Sequence, residues 1–412
     1  MCPQLSLGER RSRGTAAAAQ IPPQAHRGWK PAPGRPSPVL VLAEQEADRQ
    51  PDLVPVRHGR MMISPFTFYR GAAAVMSQDL RGTPVAGLPA QLCGDAHLSN
   101  FGVFGSPERR LVFDLNDFDE TLPGPFEYDV KRMVTSFVIA ARDNGLSASD
   151  AKAAAREAAA AYRTAMAVFA ELSTMDVWYA SLDEDTIRAM VRETMDDIGK
   201  AEKSAKSGKK RERARERAKM AKRAAKRAAR AAEKARTRDS MQALSKLGES
   251  VGGSLLQGRD AGDLLFLQVK EATSSVLEVH LPRSRYREHG QRVVHGQRLM
   301  QAASDIYLGW TRGPRGRDFY WRQLRDMKGS AEIEAMTPLG LNAYARACGW
   351  TLARAHARSG DPVAIAAYLG ETDEFDRSVT NFAIRYADQN ERDYAEFVAA
   401  IRSGQLTAVE GV

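Results

Sequence analysis

Two short stretches hold most of the residues in this chain whose types and spacing could do chemistry. One is Cys93-Gly94-Asp95-Ala96-His97-Leu98-Ser99-Asn100-Phe101-Gly102, and the other is Leu111-Val112-Phe113-Asp114-Leu115-Asn116-Asp117-Phe118-Asp119. They place Asp95, an Asn five residues later, and the carboxylates of Asp114, Asp117 and Asp119 just past a short apolar run. Phosphoryl transfer calls for such a set: one Asp orients the attacking hydroxyl, while an Asn and a second Asp hold magnesium against nucleotide phosphates. A single Asp here would read as a capping residue in a polar turn. Asp95, His97, Asn100, Asp114, Asp117 and Asp119 in one window argue for a site.

These residues need elements to position them. Leu88–Leu92 reads as a strand running into the Gly94-Asp95 turn, Asn100–Phe104 as a second and Arg110–Phe113 as a third, with a turn at Ser106-Pro107-Glu108-Arg109 between the last two. Tyr128–Asp143 follows as a helix, with Val130, Met133, Val134, Phe137, Val138 and Ala141 at helical spacing. Upstream, residues 61–80 read as a turn at Ser64-Pro65 and then a helix. Downstream, helices are expected over 147–172, 174–196, 286–305, 340–357 and 362–403. The clearest strand is Leu264–Ala272, preceded by Gly248, Gly252, Gly253 and Gly258 as a glycine-rich hairpin; Val276–His280 is a further candidate, and Tyr307–Trp310 pairs with Asp318–Arg325. A nucleotide-binding enzyme of this type uses a strand-borne Lys for the phosphates, and Lys270 is placed for that role. Arg70 and Arg132 are expected to hold phosphate or to pair with Asp117 or Asp119, a buried Arg–Asp pair being the favoured role. His97 is a candidate metal ligand or a packed support of the loop.

The chain has 412 residues, 43% of them apolar, enough to bury a large core. Three cysteines at positions 2, 93 and 348 have no metal-like spacing and make no disulfide framework, which points to a reducing compartment and a cytoplasmic protein. The first residues lack the apolar core of a signal peptide, and no stretch is apolar enough for a membrane span. Net charge is +9, unevenly placed: residues 199–240 hold 18 Lys/Arg against 5 Asp/Glu, a local +13 that leaves the remainder near −4. This segment has strong helix propensity and almost no apolar side chain beyond Ala, so it should stand in solvent. It either binds nucleic acid or an anionic surface weakly and non-specifically, or it is a tolerated insertion; with no aromatic residue it offers no stacking platform.

The segment Gly94-Asp95-Ala96-His97-Leu98-Ser99-Asn100 resembles the catalytic loop of aminoglycoside-phosphotransferase-like kinases, with Cys93 in place of that loop's first His. The resemblance implies that Asp95 is the catalytic Asp and Asn100 a magnesium ligand. It also implies a metal-binding Asp at the end of the next strand, either Asp114 or Asp117, which opens an Asp-Phe-Asp similar to the Asp-Phe-Gly of protein kinases. Glu288, in the helix after the Lys270 strand, would take the place of the Glu that pairs with the nucleotide Lys. Residues 344–358, with Leu352-Ala353-Arg354-Ala355-His356, resemble the helix that precedes the catalytic loop in those kinases, yet they come long after it. The order implies a circular permutation. His356-Ala357-Arg358-Ser359-Gly360-Asp361 is superficially similar to a His-Arg-Asp loop, but no Asn follows at the needed spacing.

At whole-chain level the sequence resembles the bacterial family domain of unknown function 2252. The resemblance rests on Ser64–Gly71, Cys93–Gly102, Leu111–Pro125, Gln268–Ala272, Gly290–Gly309 and Gly349–Gly360. The expectation is therefore a helix-rich α+β protein with a two-lobed, protein-kinase-like and permuted fold. Its parts are a disordered tail (1–53), the catalytic-loop portion of the large lobe (54–198), the basic helical insert (199–240), a small nucleotide-binding lobe (241–330) and the remaining large-lobe helices (331–404). The cofactors expected are ATP and Mg, with Asp95 catalytic, Asn100 with Asp114 or Asp117 on the metal, and Lys270, Gly252, Gly253 and Glu288 toward the nucleotide. The expected function is phosphoryl transfer to a hydroxyl of a small molecule or protein, with nucleotidyl transfer and nucleotide binding without catalysis as the alternatives.

Overall fold

Short antiparallel ladders, set among long helices, organise the chain. The computed structural model describes residues 5–47, 49–187, 189, 208–236, 253–257, 264–324, 327–409 and 411. Gly252 and, Ala189 excepted, the part of the expected 174–196 helix beyond residue 187 lie outside them; before that point the expected single helix is broken, ending at Tyr179 and giving way to a short strand at Leu182–Asp183. Among the described residues the helices are α1 (Leu7–Gln20), α2 (Pro38–Glu46), α3 (Val54–Met61), α4 (Pro65–Gly71), α5 (Ala73–Leu80), α6 (Phe126–Asp143), α7 (Ala148–Glu171), α8 (Thr174–Tyr179), α9 (Gly208–Arg236), α10 (His289–Met300), α11 (Pro338–Ser359), α12 (Pro362–Leu369) and α13 (Glu374–Arg402). The strands are β1 (Pro89–Leu92), β2 (Phe101–Gly105), β3 (Leu111–Leu115), β4 (Leu122–Pro125), β5 (Leu182–Asp183), β6 (Gly253–Gln257), β7 (Leu264–Ala272), β8 (Gly309–Arg312) and β9 (Asp318–Gln323). The expected helix-rich α+β class is what is observed.

Among the described residues three sheets form, ordered β1-β4, β2-β3-β5 and β6-β7-β9-β8. Register decides what the first two do. Leu92 pairs with Leu122 and Phe101 with Leu115, both antiparallel. The residues between those pairs, 93–100 and 116–121, therefore leave their ladders as two loops side by side. Asn116 N–H donates to the Asn100 carbonyl at 2.8 Å, tying one loop to the other. Gly94 has φ of +82°, and a Cβ there would run into the Glu120 carbonyl, so glycine's freedom is needed at this crossing.

Local sequence explains the helix starts. Ser64 caps α4 reciprocally with Thr67, with Pro65 in the first turn; Thr337 caps α11 before Pro338, and Asp361 caps α12 before Pro362. α6 is the centre of the core. Its apolar positions pack as their spacing predicts, and residues 126–141 are all buried, polar ones included. α11 lies along α7 closely enough that Gly349 abuts the Ala158 carbonyl.

Two expectations are corrected here. Residues 1–53, read as a disordered tail, hold α1 and α2 among their described members. Arg10 pairs with Asp361 at 2.7 Å, Arg35 bridges Asp79 (2.7 Å) and Asp393 (2.6 Å), and His26 is fully buried against Tyr368. Polar anchors hold α1 and the stretch after it, while Val41 and Leu42 of α2 pack with Met61, Phe68 and Phe397, so a Pro-, Arg- and Ala-rich composition hid an ordered segment. The second concerns 276–280, which form a 3₁₀ turn instead of a strand because Glu120 accepts from Val276 N–H at 2.7 Å and Ser275 caps the turn.

Candidate functional site

The polar residues of α6 read the first loop in order. Asp129 accepts from the backbone N–H of Cys93 (2.7 Å) and Gly94 (3.1 Å), Arg132 Nε donates to Asp95 Oδ1 (2.6 Å), and Ser136 Oγ accepts from Leu98 N–H (3.0 Å). Positions i, i+3 and i+7 make one helical stripe, so a single helix face fixes the loop. α11 adds the other side: His356 Nε2 lies 3.3 Å from Asp129, and Tyr344 Oη donates to the Leu98 and Phe101 carbonyls at 2.9 Å each. Asn100 closes the loop on itself through the Asp95 carbonyl at 2.7 Å. Sequence reasoning named Arg132 but missed Asp129, Ser136, Tyr344 and His356 as loop supports. The recoverable signal was the polar stripe at helical spacing inside an otherwise apolar helix.

Asp95 thus sits 19% exposed, one oxygen engaged by Arg132 and the other 3.6 Å from His97 Nε2. Arg132 pairs with Asp95, not with Asp117 or Asp119 as expected, and its NH2 also donates to the Tyr69 carbonyl. Burial drives the His97 pKa down to about 4, so this ring is neutral and serves the loop as a packed support. Arg70 is exposed at the end of α4, and its charge acts on His97. Cys93 is buried beside Asp129, which pushes its thiol well above the ordinary value and removes it as a nucleophile.

The carboxylates separate into two environments. Asp114 is buried (1% exposed) in an ion pair with Arg354 at 2.6 Å and accepts from Ala302 N–H at 2.7 Å. Both its oxygens are spent inside the core, so of the two Asp candidates only Asp117 faces open space. Asp117 and Asp119 are 40% and 36% exposed, and Lys270, brought from β7, reaches both: 2.5 Å to Asp119 and 3.6 Å to Asp117. Tyr320 Oη donates to Asp119 at 2.6 Å, and Arg322 of the same strand donates to the Asn116 carbonyl at 2.9 Å. Arg292 of α10 holds the loop from behind through the carbonyls of Asp119 (2.8 Å) and Thr121 (2.7 Å).

Two close carboxylates sharing one ammonium cannot ionise alike. Burial and the Asp119 charge raise Asp117, whereas for Asp119 the burial effect is outweighed by Lys270 and by the Tyr320 hydrogen bond, which hold it below the ordinary value. Burial also works against the Lys270 charge, but the two carboxylates overcome it and push the ammonium well up. Neighbouring Glu120 is pushed by burial to about 7.

Glu288 does not meet Lys270 in any contact among the described residues; it sits at the N-cap of α10, whose Arg292 takes the contact with the carboxylate loop. Gly253 begins β6, across from Gln268, and Gly252 lies outside the described residues. The His-Arg-Asp look-alike is taken apart: His356 faces Asp129, Arg358 stacks over Trp178 at 3.7 Å, and Asp361 caps α12. Among the described residues no three His, Cys, Asp or Glu side chains gather as a metal-holding cluster. What is gathered is a carboxylate pair, with the Asn100 loop tied alongside.

The sequence profile of the uncharacterized proteins conserved in bacteria called DUF2252 matches residues 49–251 and 244–400. The chain belongs to the DUF2252 family. The matched DUF2252 stretches take in both loops, α6, β7 and α11, hence every side chain described at this site; residues before 49 lie outside the match. No curated protein and no solved structure matches the chain. No helix among the described residues is long and apolar enough to cross a membrane.

Proposed function

We propose that this DUF2252 protein is a magnesium- and ATP-dependent phosphotransferase that acts on a hydroxyl group, with a permuted kinase-like arrangement. One observation carries the reading: Lys270, about 150 residues from the loops in sequence, closes onto Asp117 and Asp119 at the edge of the Asp95–Asn100 loop. The pairing is what such a site needs before its nucleotide arrives, since the carboxylates can turn to a cation and the Lys to phosphate oxygens. The donors fit a hard cation: carboxylates of Asp117 and Asp119 and the side-chain oxygen of Asn100. Magnesium bound there would neutralise phosphate charge. Asp95 would orient the acceptor hydroxyl, and Arg132 with His97 would hold that carboxylate in place. Catalysis would come from positioning and charge complementarity.

The permutation has support in space. The end of α11 lies against the start of β1: Ser359 Oγ accepts from Gln91 N–H at 3.1 Å, and Gly360 packs on Pro89 and Ala90. A helix that would lead into the loop in a conventional order therefore still arrives at its door.

Engagement of Asp95 by Arg132 favours one second reading, nucleotide binding without transfer. Incubation with ATP labelled at the α- or γ-phosphate, with and without magnesium, separates the readings. Label leaving only the γ position, and ceasing in Asp95→Asn, is the expected result. Transfer of the α-label would mean nucleotidyl transfer, and no turnover with tight nucleotide binding would mean the binding-only protein.

A further inference from the structure

The basic helix α9 carries a feature that the phosphotransferase reading leaves unused. It is docked by one face: Ala221 and Ala235 are 3% and 1% exposed, Ala235 packs with Leu111 and Met327, and Arg236 pairs with Glu184. At 100° per residue these two alanines lie on one side of the helix. Lys219, Lys222, Arg223, Lys226 and Arg230 are all exposed, and they fall within an arc of about 100° on the opposite side. Among the described residues none of the five has an acidic partner. They form a ridge about 16 Å long that has no acidic residue between its ends.

We infer that this ridge binds the phosphate backbone of duplex nucleic acid, without reading its sequence. Charge and shape choose that partner. A duplex carries one phosphate charge per about 1.7 Å of axis, so the ridge spans more phosphates than it has cations, and their condensed counterions are available for release. Alanines between the cations keep the helix slim enough to lie along a groove. A membrane surface fits poorly, because Met220 is the only apolar side chain of α9 larger than Ala and an interfacial helix needs a buried apolar face. Single strands fit poorly for want of aromatic platforms. The rest of the chain has a net charge near −4.

The test uses the full chain and a fluorescent DNA duplex of about 20 base pairs, followed by anisotropy between about 50 and 200 mM salt. Five phosphate contacts give a slope of log K on log salt near −4.5, a loss of about 500-fold over that range. The fivefold variant Lys219→Gln, Lys222→Gln, Arg223→Gln, Lys226→Gln and Arg230→Gln should lose that binding while keeping its melting temperature. A second variant exchanging Lys for Arg at the three Lys positions should retain it. The inference is overturned if the native chain fails to bind the duplex at the lowest salt. Equal binding by the Gln variant, or tighter binding to phosphatidylserine vesicles than to the duplex, would overturn it too.

Discussion

At the residue scale, two aspartates three positions apart have opposite fates. Asp114 is a core residue whose charge is answered by Arg354, both 1% exposed. Breaking a buried pair from one side strands a charge, so Arg354→Met should cost about 3–5 kcal/mol in a denaturant titration. The double change Arg354→Met with Asp114→Leu should recover much of it. Asp117→Ala, at a 40% exposed position next to another carboxylate, should leave stability within about 1 kcal/mol. Glu120 supplies a pH signature. Its pKa rises on folding from the ordinary 4.5 to about 7, so the folded state binds the extra proton and stability falls as pH climbs through that window. Glu120→Gln should therefore gain on the native chain between those two values and hold a constant advantage above them, as read by melting at several pH values. That the two polar stretches leave short strands as loops was legible in the sequence, because turn residues and short apolar runs mark them. The division of labour between Asp114 and Asp117 was not, because Arg354 lies 240 positions away and nothing local announces the pair.

At the scale of elements, the periodic segments were readable and the anchored ones were not. The helical spacing of Val130, Met133, Phe137 and Val138 predicts α6, and the glycine-led apolar run Leu264–Val269 predicts β7, which pairs with β6 on one side and β9 on the other. β4, with Pro123 and Pro125 in four residues, has no such pattern and exists because β1 pairs with it. The first fifty residues are the larger lesson. Pro, Arg and Ala composition argues for disorder, yet α1 and the following segment are held by Arg10, His26 and Arg35, each reaching a partner more than 300 residues away. Removing residues 1–36 should thus lower the melting temperature by several degrees and expose the α12–α13 surface. An unchanged melting curve would return the segment to the status of a tail.

At the scale of the whole molecule, the proposed site depends on one meeting. A four-stranded sheet from the later part of the chain delivers Lys270, Tyr320 and Arg322 to a carboxylate loop built by the earlier part. α11 delivers its C-terminal end to the strand that opens the Asp95 loop. Neither part holds the proposed site alone, which is why a loop so early in the chain can be completed by a strand so late. The proposed nucleotide would stabilise the folded state only by bridging that meeting, and mass action sets the size of the effect: about 2.7 kcal/mol at a hundredfold excess over Kd. The most direct measurement is the melting temperature of the native chain, Lys270→Ala and Asp117→Ala with ATP, each with and without magnesium. The proposed site requires a rise of a few degrees in the native chain that depends on magnesium and disappears in both variants. No rise in the native chain, or a rise that survives both substitutions, would contradict it.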